Sequence, residues 1–217
     1  GSEFLINTHT ANDQNMPTVA SLSNGGFVVT WHSHGQDGDG DSGGSTLETN
    51  SYAQLYDSFG SRIGTEILIN TETASYQENP SITGLKDGGF VVTWNSYYQD
   101  GNSYGIYGQR YDASGNSSGA EFHISTATNN AQELSTITAL ADGGFTVTWQ
   151  SYAQDGDGYG IYAQRFDAGI STSSSNGSSS GSGVTFSSNE LINNSFFTFP
   201  VGTQEISDEY VKFSWAE

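Results

Sequence analysis

Three short loops hold the residues of this chain best suited to chemistry. They read Gln36-Asp37-Gly38, Gln99-Asp100-Gly101 and Gln154-Asp155-Gly156, and continue as Asp39-Gly40-Asp41, Asn102 and Asp157-Gly158. Asp or Asn alternating with Gly sets several side-chain oxygens on one tight loop, and the glycines let backbone carbonyls approach as well. Ca²⁺ is a hard ion that takes six to eight oxygen ligands at about 2.3–2.6 Å, so it is the cation this pattern suits. The candidate ligands are Asp37, Asp39, Asp41, Asp100, Asn102, Asp155 and Asp157, with Asp57, Asp112 and Asp167 as candidate braces. The loops are not EF-hands, because the bidentate Glu is absent, and they lack the glycine-rich nonapeptide of calcium-binding β-helices. The plainer reading is a polar hairpin loop in which Asp and Gly only make turns.

Tyrosines flank these loops at 97, 98, 104, 152 and 159. A tyrosine offers an apolar face and a polar tip, which suits stacking on a sugar ring, and Tyr104 and Tyr159 are the candidates for that contact. The only histidines are His9, His32, His34 and His123. His32 and His34 share one face of a strand and would reach a metal together with Asp37, but only one copy carries them. No Gly-x-Ser-x-Gly, His-Glu-x-x-His or phosphate-binding glycine loop is present. A glycosidase needs two carboxylates across a cleft, and no carboxylate here stands apart from its repeat copies. The expectation is a chain that is not an enzyme.

The loops are positioned by a repeat. The signature Asn/Asp-Gly-Gly-Phe-x-Val-Thr-Trp occurs at 24–31, 87–94 and 142–149. A fixed internal period marks a repeat architecture. Within the signature, Phe27, Val29 and Trp31 alternate onto one face, as do Phe90, Val92, Trp94 and Phe145, Val147, Trp149. Alternation of that kind is the strand signal. Four strand-like segments recur per copy. One opens the copy at 3–7, 66–70 and 121–125, a short one lies around Val19, Ile82 and Ile137, the signature strand follows, and the last covers 52–56, 106–111 and 161–166. Gln54, Gln109 and Gln164 are expected to cap backbone groups, and Arg110 and Arg165 to pair with repeat carboxylates. The copies span 1–63, 64–118 and 119–168, and the first carries an eight-residue insertion around 43–48. Gly1-Ser2-Glu3-Phe4 matches Gly64-Thr65-Glu66-Ile67 and Gly119-Ala120-Glu121-Phe122, so the opening residues read as part of the repeat. The fold class is all-β, built from four-stranded antiparallel units resembling β-propeller blades. A three-fold β-trefoil or β-prism and a linear β stack are the alternatives.

Composition bounds the partners. The chain carries 24 acidic against 5 basic residues, a formal charge of −19. That balance excludes phosphate-reading by clustered Lys and Arg, hence nucleic acid, and it opposes an anionic membrane surface. Cysteine is absent, so disulfides and thiolate chemistry are excluded. No apolar run is long enough to span a membrane, and no signal peptide is visible.

The pattern breaks after Ala168. Residues 169–183 are a Ser/Gly-rich linker, and residues 184–217 turn strand-like again. Within the tail, Asn189-Glu190-Leu191-Ile192-Asn193 echoes Glu66-Ile67-Leu68-Ile69-Asn70. The tail therefore reads as a degenerate fourth unit or as strands given to a sheet edge, its own or a neighbour's.

The ordered set Glu-Phe-x-Ile-Asn-Thr, Asp-Gly-Gly-Phe-Val-Val-Thr-Trp, Gln-Asp-Gly and Gly-Ile-Tyr-x-Gln-Arg-Tyr-Asp-Ala-Ser-Gly-Asn resembles a repeat of very large proteobacterial secreted proteins, the RTX-type calcium-binding adhesins exported by type I secretion. The resemblance covers 1–168 and departs at the 41–50 insertion. It implies an extracellular or cell-surface module, calcium-dependent and non-enzymatic, for adhesion or matrix assembly. Its expected partners are a surface or matrix glycan or protein, or further copies of itself. A lectin-like glycan-binding module and a filament subunit that donates its tail are the rival readings.

Overall fold

The computed structural model describes residues 1–36 and 48–168. Asp37, Asp39 and Asp41, most of the first-copy insertion, the Ser/Gly linker and the tail lie outside the described residues.

The fold is all-β. The strands are β1 (Gln14–Ser21), β2 (Phe27–His34), β3 (Thr49–Tyr56), β4 (Arg62–Leu68), β5 (Gln77–Gly84), β6 (Phe90–Tyr97), β7 (Tyr104–Tyr111), β8 (Phe122–His123), β9 (Gln132–Ala139), β10 (Phe145–Tyr152) and β11 (Tyr159–Phe166). They form three antiparallel meanders, ordered β1-β2-β3-β4, β5-β6-β7-β8 and β9-β10-β11, and no barrel closes among the described residues. Each meander has the form of a propeller blade.

The sheets run one strand out of step with the sequence copies. The segment that opens a copy supplies the fourth strand of the preceding sheet: Leu68 pairs with Tyr52, and His123 with Tyr107. The cause is the turn before it. Asp57 Oδ1 accepts the Phe59 and Ser61 amides at 2.9 and 2.8 Å, and Asp112 Oδ1 accepts those of Ser114 and Asn116 at 2.8 and 2.9 Å. A turn this tight joins only adjacent antiparallel strands. It also corrects the expectation that Asp57 and Asp112 brace the Gln-Asp-Gly loops. They sit at the opposite ends of β3 and β7, a strand length of about 25 Å away.

The Gly-Gly pair does two separate jobs. Gly25, Gly88 and Gly143 have φ of 86°, 93° and 93°, the left-handed region that favours glycine. The second glycine is required by space, because a Cβ on Gly26, Gly89 or Gly144 would lie 2.3 Å from the carbonyl oxygen of Tyr56, Tyr111 or Phe166.

The second and third signature faces pack on the sheet before them. Val92, Trp94, Tyr107 and Tyr111 meet Val28, Ala53 and Leu55 in one core, and Phe145, Val147, Trp149 and Phe166 meet Val91 and Ile106 in the next. The middle sheet is covered on both faces, so Phe90, Val91 and Val92 are all fully buried. The third sheet is covered on one face, and β10 keeps the alternation legible in the sequence. Gln54, Gln109, Arg110 and Arg165 behave as expected. Gln54 Nε2 donates to the Leu55 and Ile63 carbonyls at 3.0 and 2.9 Å, and Arg110 pairs with Asp87 at 2.6 Å.

Polar ties join the sheets at a bulge. Asn79 and Leu134, with φ of 52° and 56°, sit at the irregularity in β5 and β9. Their freed amides donate across to the preceding sheet, Asn79 to His32 Nδ1 at 3.3 Å and Leu134 to Asn95 Oδ1 at 3.2 Å.

Candidate functional site

The Gln-Asp-Gly loops are the hairpins that join β6 to β7 and β10 to β11. Gly101 donates to the Tyr98 carbonyl at 3.0 Å and Gly156 to that of Ala153 at 3.2 Å. The aspartate of each loop accepts the amide two residues on, Asn102 to Asp100 Oδ1 at 3.1 Å and Asp157 to Asp155 Oδ1 at 3.4 Å. One oxygen of each carboxylate is therefore a turn-former. The other folds back over the following strand. A Cβ on Gly105 would lie 3.0 Å from Asp100 Oδ2, and one on Gly160 would lie 2.7 Å from Asp155 Oδ2. This is why Tyr-Gly-Ile-Tyr follows both loops.

The two loops differ in burial. The Asp100 side chain is 4 % exposed, and its Oδ2 is buried with no hydrogen-bond partner. His123 Nε2 stands 3.9 Å from that oxygen and is 2.9 Å from Ser125 Oγ, with the ring stacked on Tyr107. Burial lowers the His123 pKa, against the opposing pull of Asp100. Asp155 and Asp157 are exposed. Beside Asp100, Gln99 links two elements. It accepts from Ser96 Oγ at 2.6 Å and donates to Glu121 Oε1 at 2.5 Å, while Glu121 Oε2 accepts the Thr71 amide at 2.9 Å. The candidate ligands Asp100 with Asn102, and Asp155 with Asp157, thus share a loop in pairs. Among the described residues no group of three or more His, Asp or Glu is placed to hold a metal ion.

The tyrosines form a more continuous feature. Tyr104 opens β7 and donates to Glu78 Oε2 at 3.3 Å, with Tyr97 beside it at 5.0 Å between ring centroids. Burial, then the charges of Glu78 and Glu133, raise the Tyr104 pKa. Glu133 belongs to the next sheet, where it accepts from Gln150 Nε2 at 3.3 Å and raises the Tyr159 pKa chiefly by its charge. Tyr159 packs against Tyr152 at 5.1 Å. The order along the loop end of the two sheets is Glu78, Tyr104, Glu133, Tyr159. Tyr98, Tyr152 and Tyr159 are 60, 45 and 54 % exposed. The structure therefore brings the two tyrosine candidates onto one row, with the Glu133 carboxylate between them and Glu78 beyond Tyr104.

Glu78 and Glu133 were not singled out from the sequence, although a signal was there. Both copies with Tyr at the start of the last strand carry Glu after Gln77 or Gln132, whereas the copy with Thr49 carries Asn15 after Gln14. His32 and His34 stand with rings 5.7 Å apart. Their proposed metal partner Asp37 lies outside the described residues.

No family model and no curated protein matches the chain. Solved structures do resemble it. A Dyadobacter fermentans protein of unknown function is 13 % identical with a TM-score of 0.49, over 73 % of this chain and 52 % of that one. An endo-arabinase from Bacteroides thetaiotaomicron is 13 % identical with a TM-score of 0.44, over 72 % and 56 %. An alpha-L-arabinofuranosidase from Lactobacillus brevis is 12 % identical with a TM-score of 0.43, over 74 % and 54 %. The chain spans about half the length of each. Two of the three bear enzyme names, against the sequence-based expectation of a chain that is not an enzyme. At this identity no residue role passes from those proteins to this chain.

Proposed function

We propose that the chain is a glycan-binding β-repeat module of the cell surface or extracellular matrix, and that the Glu78–Tyr104–Glu133–Tyr159 row is its sugar site. The observation that carries this is the placement of Tyr104 between carboxylates of two sheets, with the exposed Tyr159 beside the second of them. Aromatic faces cover the apolar faces of a pyranose or furanose ring, and flanking carboxylates accept its hydroxyl hydrogens. The raised phenol pKa values keep Tyr104 and Tyr159 protonated, so both still donate. With a formal charge of −19 and glutamates in the row, the ligand class is a neutral glycan. Calorimetric titration with neutral and acidic oligosaccharides tests it. Binding of a neutral set, weakened about tenfold or more (~1.4 kcal/mol) by Tyr104→Ala and again by Tyr159→Ala, is expected. Unchanged affinity in the double variant would refute the site.

A second reading is supported by Asp100 Oδ2. A buried carboxylate oxygen without a partner is costly, and a cation beside it removes that cost. Ca²⁺ is the ion the loop suits by its oxygen donors, with Asp100 as its inner ligand. Asp37, Asp39, Asp41, Asp155 and Asp157 are the candidate ligands of the sister loops. One available oxygen is far short of the six to eight that Ca²⁺ takes, so the second loop alone does not make a complete site. Thermal unfolding in excess Ca²⁺, in chelator and with Mg²⁺ as control tests the reading. A Ca²⁺-specific rise of the midpoint supports it, since a ligand bound only to the folded state must stabilise it. Coincident curves would return the aspartates to their turns.

A further inference from the structure

The third sheet ends where the other two continue. Beside β3 and β7 lies a fourth strand; beside β11, among the described residues, there is none. The face of β11 is open as well among the described residues: Ile106 packs on Phe145, Val147 and Trp149 of the third sheet, and its counterpart Ile161 has no such cover. Ile106 of β7 is 0 % exposed and Ile161 of β11 is 79 % exposed. In the complete sheets Ile69 donates its amide to the Ser51 carbonyl and Ile124 to that of Ile106, both at 2.8 Å. The side chains that follow also bind back. Asn70 Oδ1 accepts the Ser51 amide at 2.7 Å, and Ser125 Oγ accepts the Ile106 amide at 3.3 Å. Among the described residues the corresponding amide and carbonyl of Ile161 have no such strand.

Residues 3–7 have the opposite problem. Glu3-Phe4-Leu5-Ile6-Asn7 matches Glu66-Ile67-Leu68-Ile69-Asn70 and Glu121-Phe122-His123-Ile124-Ser125 position by position, yet it is no strand, and Phe4 and Leu5 are 55 and 64 % exposed. Its contacts to the following sheet are already those of a fourth strand. Tyr56 donates its hydroxyl to the Ile6 carbonyl at 3.1 Å as Tyr111 does to Ile69 at 3.0 Å. Phe4 lies 5.7 Å from the Tyr56 ring as Phe122 lies 5.6 Å from Phe166. Residues 3–7 thus sit as the last strand of a sheet whose other strands are not among the described residues.

We propose that residues 3–7 of a second copy of this chain pair with β11 and complete the third sheet, so that copies join head to tail. The two complete sheets fix the register, Leu5 opposite Tyr162 and Phe4 opposite Ala163, from Leu68 opposite Tyr52 and Ile67 opposite Ala53. They also give Glu3 a role. Glu66 accepts from the Thr8 amide and from Gln36 Nε2, and Glu121 accepts from the Thr71 amide and Gln99 Nε2. Glu3 of the second copy meets Thr126 and Gln154, which have no carboxylate partner among the described residues. The tail segment 189–193 is the rival occupant, and its sequence fits less well. In the repeat register it sets Glu190 where Ile67 and Phe122 are half-buried, and Asn189 where Glu66 and Glu121 accept their hydrogen bonds. A head-to-tail joint closes a ring if the rotation allows and otherwise extends a filament.

Sedimentation velocity over a range of concentrations tests this with two variants of the full chain. Ile6→Pro removes the amide that matches those of Ile69 and Ile124, which donate to the neighbouring strand, because proline cannot donate to a ladder, and Ile161→Lys sets a charge on the open face that the second copy would cover as the third sheet covers Ile106. Wild-type chain is expected to assemble with rising concentration, and each variant alone to sediment as one chain. An equal mixture of the variants restores one sound strand and one sound edge, so it forms a two-chain complex and no more. That recovery also shows both variants folded. The proposal is overturned by a wild-type chain that stays single throughout, by assembly that neither variant reduces, or by protection from hydrogen exchange, in the dilute single chain, of the β11 amides that face away from β10, such as that of Ile161, which would mean that its own residues beyond 168 cover the edge.

Discussion

His32 offers the sharpest test of how the sheets are tied. Its side chain is buried, and its Nδ1 accepts the Asn79 amide freed by the bulge in β5. A protonated ring cannot accept there. Burial first, and the neighbouring His34 second, lower its pKa from 6.5 to about 4. The unfolded chain takes up this proton near pH 6.5 and the folded chain near pH 4, so between those values the unfolded state holds more protons. Stability from this group is therefore complete above about pH 6.5 and is lost as pH falls towards 4. A displacement of that size is worth at most about 3 kcal/mol; the ring's partial contact with solvent brings the expected loss to about 1–2 kcal/mol.

The middle sheet supplies the control. Asn95 occupies the position of His32 and accepts the Leu134 amide through an oxygen that does not titrate in this range. His32→Asn should keep the tie and remove its pH dependence. Urea unfolding of both proteins at pH 7.5 and 4.5 measures it. Carboxylates and the other histidines titrate in both proteins, so the difference of differences isolates His32. The wild type should lose about 1–2 kcal/mol more than the variant on acidification. Equal losses would show that His32 does not carry the acid sensitivity and would refute the reasoning.

Two further outcomes follow from the turns. Gly89→Ala places a Cβ 2.3 Å from the Tyr111 carbonyl oxygen inside the most buried sheet and should cost about 2–4 kcal/mol in urea unfolding; a change within 0.5 kcal/mol would mean that the β6–β7 pair yields easily. Asp100→Asn keeps the oxygen that accepts the Asn102 amide and removes the buried charge, so calcium-free stability should not fall while any Ca²⁺-dependent rise in melting midpoint shrinks, and a rise of full size would place the ion elsewhere.

The sequence was a good guide to strands and a poorer one to their partners. Phe90, Val92 and Trp94 alternate onto one face as expected, but Val91 is buried too, because the next sheet covers it and a single strand's pattern does not say what lies on its far side. Residues 66–70 read correctly as strand-forming. Their sheet was settled by the Asp57 turn, whose tightness binds them to the strand before rather than the strands after. Residues 3–7 carry the same pattern and form no strand, since a strand needs a neighbour and none of the described residues lies beside them. Asp100 was legible as a loop carboxylate, but its inward fold was not, because that depends on the gap left by Gly105. Glu78 and Glu133 were missed for a simpler reason: they precede the bulges at Asn79 and Leu134, and a bulge changes where a side chain points without changing the hydropathy pattern.

The offset of sheets from sequence copies also orders the local stabilities. Each of the first two sheets holds a strand that leads directly into the next sheet, and the bulge amides and the tyrosine hydroxyls cross the same seams. Opening either seam therefore breaks a β-ladder together with a core, and the middle sheet, with a core on each face, should open last. Among the described residues the third sheet has a core on one face and no strand beyond β11, so less free energy holds its outer strand in place. The sugar row runs from the middle sheet to that outer strand, with Tyr104 at its firm end and Tyr159 at its loose end. Pairing of β11 with a further strand would stiffen Tyr159 without touching any ligand, so assembly and glycan affinity should rise together if both proposals hold, as ligand binding and ordering of the same strand must reinforce each other.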